Sequence, residues 1–298
     1  MIAAGWLWAV FTVIASIGQT ARNAMQRELT RIVGTVGATL VRFLFGLPFG
    51  ILFLAGVAYW FEQPLPAPSP AFLAWNGLAA VTQIGGTALM LLAMNERSFV
   101  VTTAYLKTEP VLVALFGFVF LGDRLTAQTI FAIVVATTGV MMMSWMKGAA
   151  SGSTRPLLFG IGAAALFGIS AVGFRGAILS LETPSFVMAA TFALAVGLMI
   201  QTALLSVYLA LFDRKSLFAI LRQWRPSLFA GFMGAAASQF WFLAFALTPA
   251  ANVRTLALIE VLFAQIVSRR IFDHKSAPRE VIGIVLVVGG IAFLLWTH

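Results

Sequence analysis

At 298 residues, 61% hydrophobic and only 10% charged, the chain is too apolar for a soluble domain. Its mean hydropathy of +0.98 indicates a polytopic membrane protein. The formal charge of +9 then reads as basic loops on one side of a bilayer, not as a nucleic-acid footprint. With no cysteine and only two histidines, His274 and His298, there is no disulfide framework and no donor set for zinc or haem. No metal or cofactor is expected.

A spanning helix needs about 20 mostly apolar residues. Segmentation at charges, prolines and polar clusters gives ten candidate spans. The first, 3–24, has no basic residue ahead of it and reads as a retained helix, not a leader. It holds Gln19 mid-span and Arg22 at its end. The second, 32–60, holds Arg42, about 15 Å along the helix from Ile32. A proline-rich stretch, EQPLPAPSP (62–70), leads to the third span, 71–94, with Gln83. The fourth, 98–121, holds Tyr105, Lys107, Glu109 and Pro110. The fifth, 126–146, ends at a small, flexible linker, KGAASGSTR (147–155).

Spans six and seven are 156–180, with Arg175, and 184–211. A basic loop at 212–226 precedes the eighth, 227–247, with Gln239 and Trp241. The ninth, 250–271, holds Arg254 and Glu260, and the tenth is 278–296. Of nineteen Lys and Arg residues, fourteen fall in odd-numbered connections and only Arg124 in an even one. The positive-inside rule therefore places the odd loops in the cytoplasm and both termini outside.

The chain repeats itself. EPVLVALFGFVFLGDRLTAQTIFAIVVATTGVMMMSW (109–145) aligns with EVLFAQIVSRRIFDHKSAPREVIGIVLVVGGIAFLLW (260–296) at a shift of 151. The shift pairs Glu109 with Glu260, Gly139 with Gly290 and Trp145 with Trp296. Upstream, TARNA (20–24) pairs with GFRGA (173–177), and so Arg22 with Arg175, after a small gap. The expected domains are 1–146 and 156–298, joined by 147–155. Five spans per half is an odd number, so the second half would enter the membrane from the opposite side. Inverted repeats of this kind are common in secondary transporters, whose substrates bind near the midplane between repeats.

Glu-Pro followed by LGDRLT (121–126) and then TTGV (137–140) resembles the EamA repeat of the drug/metabolite transporter superfamily. The second copy is degenerate, with Val261 for the proline and FDHKSA (272–277) for LGDRLT. The resemblance implies an all-α, ten-helix inner-membrane transporter and no enzyme. The chain is most similar to bacterial ten-helix amino-acid exporters. Other members move drugs or metabolites, or exchange nucleotide sugars and sugar phosphates.

Charged groups inside a bilayer are costly and usually face a bundle interior or a wet cavity. Lys107 and Glu109 lie about 200° apart on a helix, so they are not a local pair. Their partners should come from other helices, with Arg175 and Arg254 as candidates for Glu109. Arg254 could also meet a substrate carboxylate. Glu109 and Glu260 read either as cavity residues or proton carriers, or as structural carboxylates. Arg22, at a span end, is expected to snorkel to headgroups, and Arg42 could do the same. Pro110 is expected to open its helix and serve gating.

Gln19, Gln83, Tyr105 and Gln239, spread over several spans, point to a shared polar cavity. Trp241 would stack on an aromatic substrate or simply pack. The expected substrate set is thus Gln19, Gln83, Tyr105, Lys107, Glu109, Arg175, Gln239, Trp241, Arg254 and Glu260. The reading is a secondary exporter of amino acids working by alternating access, with the bilayer as its other partner. The same fold with a drug, nucleoside or sugar-linked metabolite is the alternative. A lipid flippase or membrane enzyme has less support, since neither G-x-x-x-x-G-K-[ST] nor H-E-x-x-H occurs in the sequence.

Overall fold

The computed structural model describes residues 5–96, 102, 105–144, 155–222, 224–262 and 278–297. Most of the 147–155 linker, the end of the ninth span with FDHKSA, and part of the start of the fourth span lie outside the described residues. Everything regular among the described residues is helical.

The first half holds α1 (Leu7–Leu44), α2 (Leu47–Phe61), α3 (Pro70–Glu96), α4 (Glu109–Phe116) and α5 (Ala127–Ser144). The second holds α6 (Arg155–Leu179), α7 (Phe186–Phe212), the short α8 (Arg214–Arg222), α9 (Trp224–Leu247), α10 (Ala250–Leu256) and α11 (Pro278–Trp296). Six helical stretches are long and apolar enough to cross a membrane, and Glu109–Leu121 and Ala127–Met143 are shorter apolar helices.

The boundary between the first two spans differs from expectation. Residues 25–31 are helical, and the chain breaks at Gly34, whose φ of 72° lies in the left-handed region. There Gly carries no Cβ penalty. The break is a reversal. Gln26 Nε2 donates to the Ala38 carbonyl at 3.1 Å, although twelve residues of straight helix would span about 18 Å. The arms on either side of Gly34 therefore run back along one another.

Two connections that occupy matching places in the halves also differ. After α2, residues 63–69 are proline-rich and form no regular structure. After α7, the chain forms α8. Asp213 starts it, accepting from the Ser216 amide at 3.1 Å and the Ser216 hydroxyl at 2.6 Å. Those two bonds hold the Asp213 carboxyl below its usual range.

The broadest helix contacts all join the two halves: α3 with α6, α1 with α9, and α5 with α11. All three pairs are antiparallel. Gly173 faces Ala79 while Gly86 faces Phe167. Gly18 faces Ala237 while Gly234 faces Arg22. Gly139 faces Gly283 while Gly290 faces Ala132 and Ala136. Lipid tails are as apolar as leucine, so burial alone does not drive such contacts; small residues that let backbones approach do.

Large apolar side chains lie outside, with Phe212 74% and Leu211 67% exposed. Charged ones lie inside, with Arg22 2%, Arg42 5% and Lys107 8% exposed. That inversion suits a lipid solvent.

Candidate functional site

The two copies of the EP/EV segment come together where α4 touches α10 and Lys107 meets Glu260. Both are interrupted helices. In the first, residues 107–108 form a turn before the helix resumes at Glu109; in the second, 257–258 form a turn before it resumes at Ile259. The turns are tight. Thr108 N donates to Tyr105 O at 3.3 Å, and Leu258 N to Thr255 O at 3.1 Å, both three residues back.

Pro110 stands in the first turn of α4, where its missing N–H costs nothing. Val261 keeps its N–H, which finds Leu258 O at 3.1 Å, and the break forms there all the same. The helix is interrupted just before Pro110, and the matching break before Val261 forms without a proline.

The breaks bring charges from opposite halves together. Lys107 forms an ion pair with Glu260, and Arg254 Nε lies 3.0 Å from Glu109 Oε1. Each cation thus meets the carboxylate of the other half. Helix ends favour the second pair: Glu109 is in the first turn of α4 and Arg254 in the last turn of α10. Glu260 also accepts from the Thr20 hydroxyl at 3.3 Å. The Arg254–Glu109 contact is close but misaligned, and neither Nε nor Oε1 has a hydrogen-bond partner. Arg254 lies over the Trp241 ring at 4.3 Å from its centroid and over Phe245 at 5.4 Å. Trp241 is fixed in turn by donating from Nε1 to Gln19 Oε1 at 3.1 Å.

These groups line one cavity of about 50 Å³, room for a few waters only. Of the sequence-predicted residues it gathers Gln19, Gln83, Lys107, Glu109, Trp241, Arg254 and Glu260. Phe167, Phe174, Phe242 and Phe245 form an aromatic wall. Ser170 and Ser238 add hydroxyls to the lining.

Three predicted residues lie elsewhere. Arg175 donates from Nη1 to the carbonyls of Phe245 and Thr248, at 2.5 and 2.6 Å, and its Nε sits 3.7 Å from Asp123 Oδ1. It closes off carbonyls at the end of α9 that the helix leaves unpaired, and it does not meet Glu109. Asp123 reaches it because Gly122, at φ 65°, ends the π-turn Gly117–Leu121. Gln239 turns away to donate to Thr191 Oγ1 on α7 at 2.8 Å. Tyr105 packs on α6, where a Cβ at Gly160 would fall 2.5 Å from its own Cβ.

Conversely, Arg22 and Arg42 line the cavity instead of reaching headgroups. The reversal at Gly34 could not be anticipated from residue type alone. Gln201, 1% exposed, was also missed: it donates to Gln83 Oε1 at 2.8 Å. A lone amide in an otherwise apolar span was the available signal.

A model of the EamA-like transporter family matches residues 1–145 and 154–296. A crystal structure described only as that of a protein superposes with a TM-score of 0.67, covering 98% of this chain and 96% of its own, at 15% identity. At that identity the likeness concerns the fold alone. No curated protein matches the chain.

Proposed function

The chain belongs to the EamA-like transporter family, and on that premise we propose that it exports amino acids, aromatic and hydrophobic ones first, across the inner membrane by alternating access. It spans the bilayer ten times, as two inverted five-helix halves with both termini outside. The antiparallel pairing of α3 with α6, α1 with α9 and α5 with α11 supports inversion, since five spans per half reverse the second copy. The cavity at its present size holds no amino acid, so this is a closed state that must open to load and release.

The observation that carries the reading is the buried Arg254–Glu109 contact. It joins the two halves, faces the cavity, and leaves Nε and Oε1 without hydrogen bonds. A zwitterion supplies what both groups lack: its carboxylate meets Arg254 and its ammonium meets Glu109. Its side chain faces Trp241 and the phenylalanine wall. Inserted there, the substrate replaces a contact between the halves with contacts to each half. Binding can shift a conformational equilibrium only through such differential contacts. Glu109 and Glu260 are also the carboxylates placed to carry a coupled proton.

The test is uptake by purified protein in liposomes, with and without a pH gradient. Movement of labelled phenylalanine, tryptophan, threonine or methionine is expected. If none of the four moves, the amino-acid assignment falls, and a resistance panel of drugs and nucleosides becomes the next screen.

A further inference from the structure

Four cations, Arg22, Arg42, Lys107 and Arg254, face this cavity together with two carboxylates, Glu109 and Glu260. The carboxylates are already taken by Lys107 and Arg254. Among the described residues, Arg22 and Arg42 have no ion-pair partner. Among the described residues, Arg22 bonds only its chain neighbour, Asn23 Oδ1, at 2.8 Å from Nη2, and its Nη1 is buried without a hydrogen-bond partner. Arg42 donates to the Thr87 hydroxyl at 3.0 Å and lies 5.1 Å from the Phe43 ring centroid.

The fold forces these two side chains together. The reversal at Gly34 sets Gln26 against Ala38. Four residues further along each arm, the same register sets Arg22 against Arg42. Gly234 of α9 makes room for both. A Cβ there would stand 3.3 Å from Arg22 Cδ and 3.6 Å from Arg42 Cγ. Two like charges held side by side away from water are costly unless something compensates them. Paired guanidiniums present N–H forks matched to the oxygens of a carboxylate or phosphate.

We infer that Arg22 and Arg42 form an oxyanion subsite, so that the solute passing through this cavity carries a net negative charge: an organic carboxylate or phosphate ester whose apolar body lies on the phenylalanine wall. This rests on the transport reading for its route alone; in substrate class it departs from that reading, replacing the net-neutral amino acid with a net anion. A simple zwitterion satisfies Arg254 and Glu109 but leaves the arginine pair uncompensated.

The test uses purified full-length protein and four probes at fixed ionic strength: phenyllactate, phenyl phosphate, phenylalanine and inorganic phosphate. The first three share a ring; phenyllactate differs from phenylalanine by a hydroxyl in place of the ammonium. Phenyllactate or phenyl phosphate should bind at least tenfold tighter than phenylalanine, and whichever of the two wins names the oxyanion. Inorganic phosphate should compete with the winner. R22Q and R42Q should each erase the preference.

R22Q is the sharper variant, because Arg22 bonds no other helix among the described residues. Its ligand-free thermal midpoint should stay level or rise, where a structural arginine would make it fall. Equal or tighter binding of phenylalanine, an unchanged preference in R22Q, or binding by none of the ring-bearing probes overturns the subsite. Parallel liposome uptake separates the two claims. Anion binding with no uptake of any probe defeats transport and keeps the subsite. Phenylalanine uptake that R22Q leaves intact, without an anion preference, defeats the subsite and keeps transport.

Discussion

Arg22 and Arg175 occupy matching places in the two halves, yet they do different work. Arg175 spends its donors on the carbonyls of Phe245 and Thr248 and lies beside Asp123. Arg22 lines the cavity and, among the described residues, bonds only its neighbour, with Nη1 buried and unpaired. The helix breaks show the opposite pattern: one has a proline and one does not, and both form. Duplication preserved the backbone architecture, while side chains at matching positions became free to diverge. One half's arginine became a strut, and the other's remains unspent.

The largest expected effect comes from breaking the crossed ion pairs. Glu109→Gln and Glu260→Gln each strand a buried cation, a change that typically costs about 3–5 kcal/mol. Uptake in liposomes should fall at least tenfold for both, and the thermal midpoint should drop by several degrees. If the halves are equivalent the two variants match. The retained Thr20 bond at Glu260 predicts that Glu109→Gln loses more transport.

Arg175→Gln should follow. Hydrogen bonds from a charged donor contribute about 1.5–3 kcal/mol each, so the midpoint should fall while ligand affinity stays within about twofold. Loss of affinity without loss of stability would place Arg175 at the site and erase its contrast with Arg22.

Gly139 and Gly290 test the positions where the halves agree. A Cβ at Gly139 would meet Gly283 O at 2.6 Å, and one at Gly290 would meet Ala136 N at 2.8 Å. Gly139→Ala and Gly290→Ala should destabilise alike, by about 1–3 kcal/mol of overpacking, read from the midpoint. Unequal costs would show that the α5–α11 contact is less symmetric than its register.

Pro110→Ala should change little, within about 1 kcal/mol and twofold in uptake, because Val261 supports the same break without a proline. A large loss would return gating to the proline.

The smallest effect belongs to the connections. The Ser216 bonds depress the Asp213 carboxyl, so their stabilisation is present above the usual carboxylate range. It is lost as pH falls through the depressed value. Asp213→Ala should remove that dependence and loosen α8, seen as faster amide exchange across Arg214–Arg222. Exchange in the 62–69 connection should not change.

Much of the fold was legible in the sequence. The apolar runs locate most of the helices, and the 151-residue shift matches Glu109 to Glu260. Helical geometry excluded a local Lys107–Glu109 pair, and the structure gives each a partner from the other half. The cavity was legible in part. Mid-span polar residues pointed to it, but Tyr105, Arg175 and Gln239 look no different in sequence from Gln83 or Lys107. Whether such a side chain faces a cavity or a neighbouring helix depends on helix rotation, which packing sets.

By itself, then, the sequence determined the solvent, the helical class and the duplication. Those follow from composition and period, which act residue by residue along the chain. Which charges meet follows from how the helices pack. The reversal at Gly34 sets Arg22 beside Arg42, and the contact of α4 with α10 crosses Lys107 with Glu260 and Arg254 with Glu109. Both depend on the rotation and register of helices far apart in sequence, and those are settled by close packing at glycines such as Gly234 that give no sign of it locally.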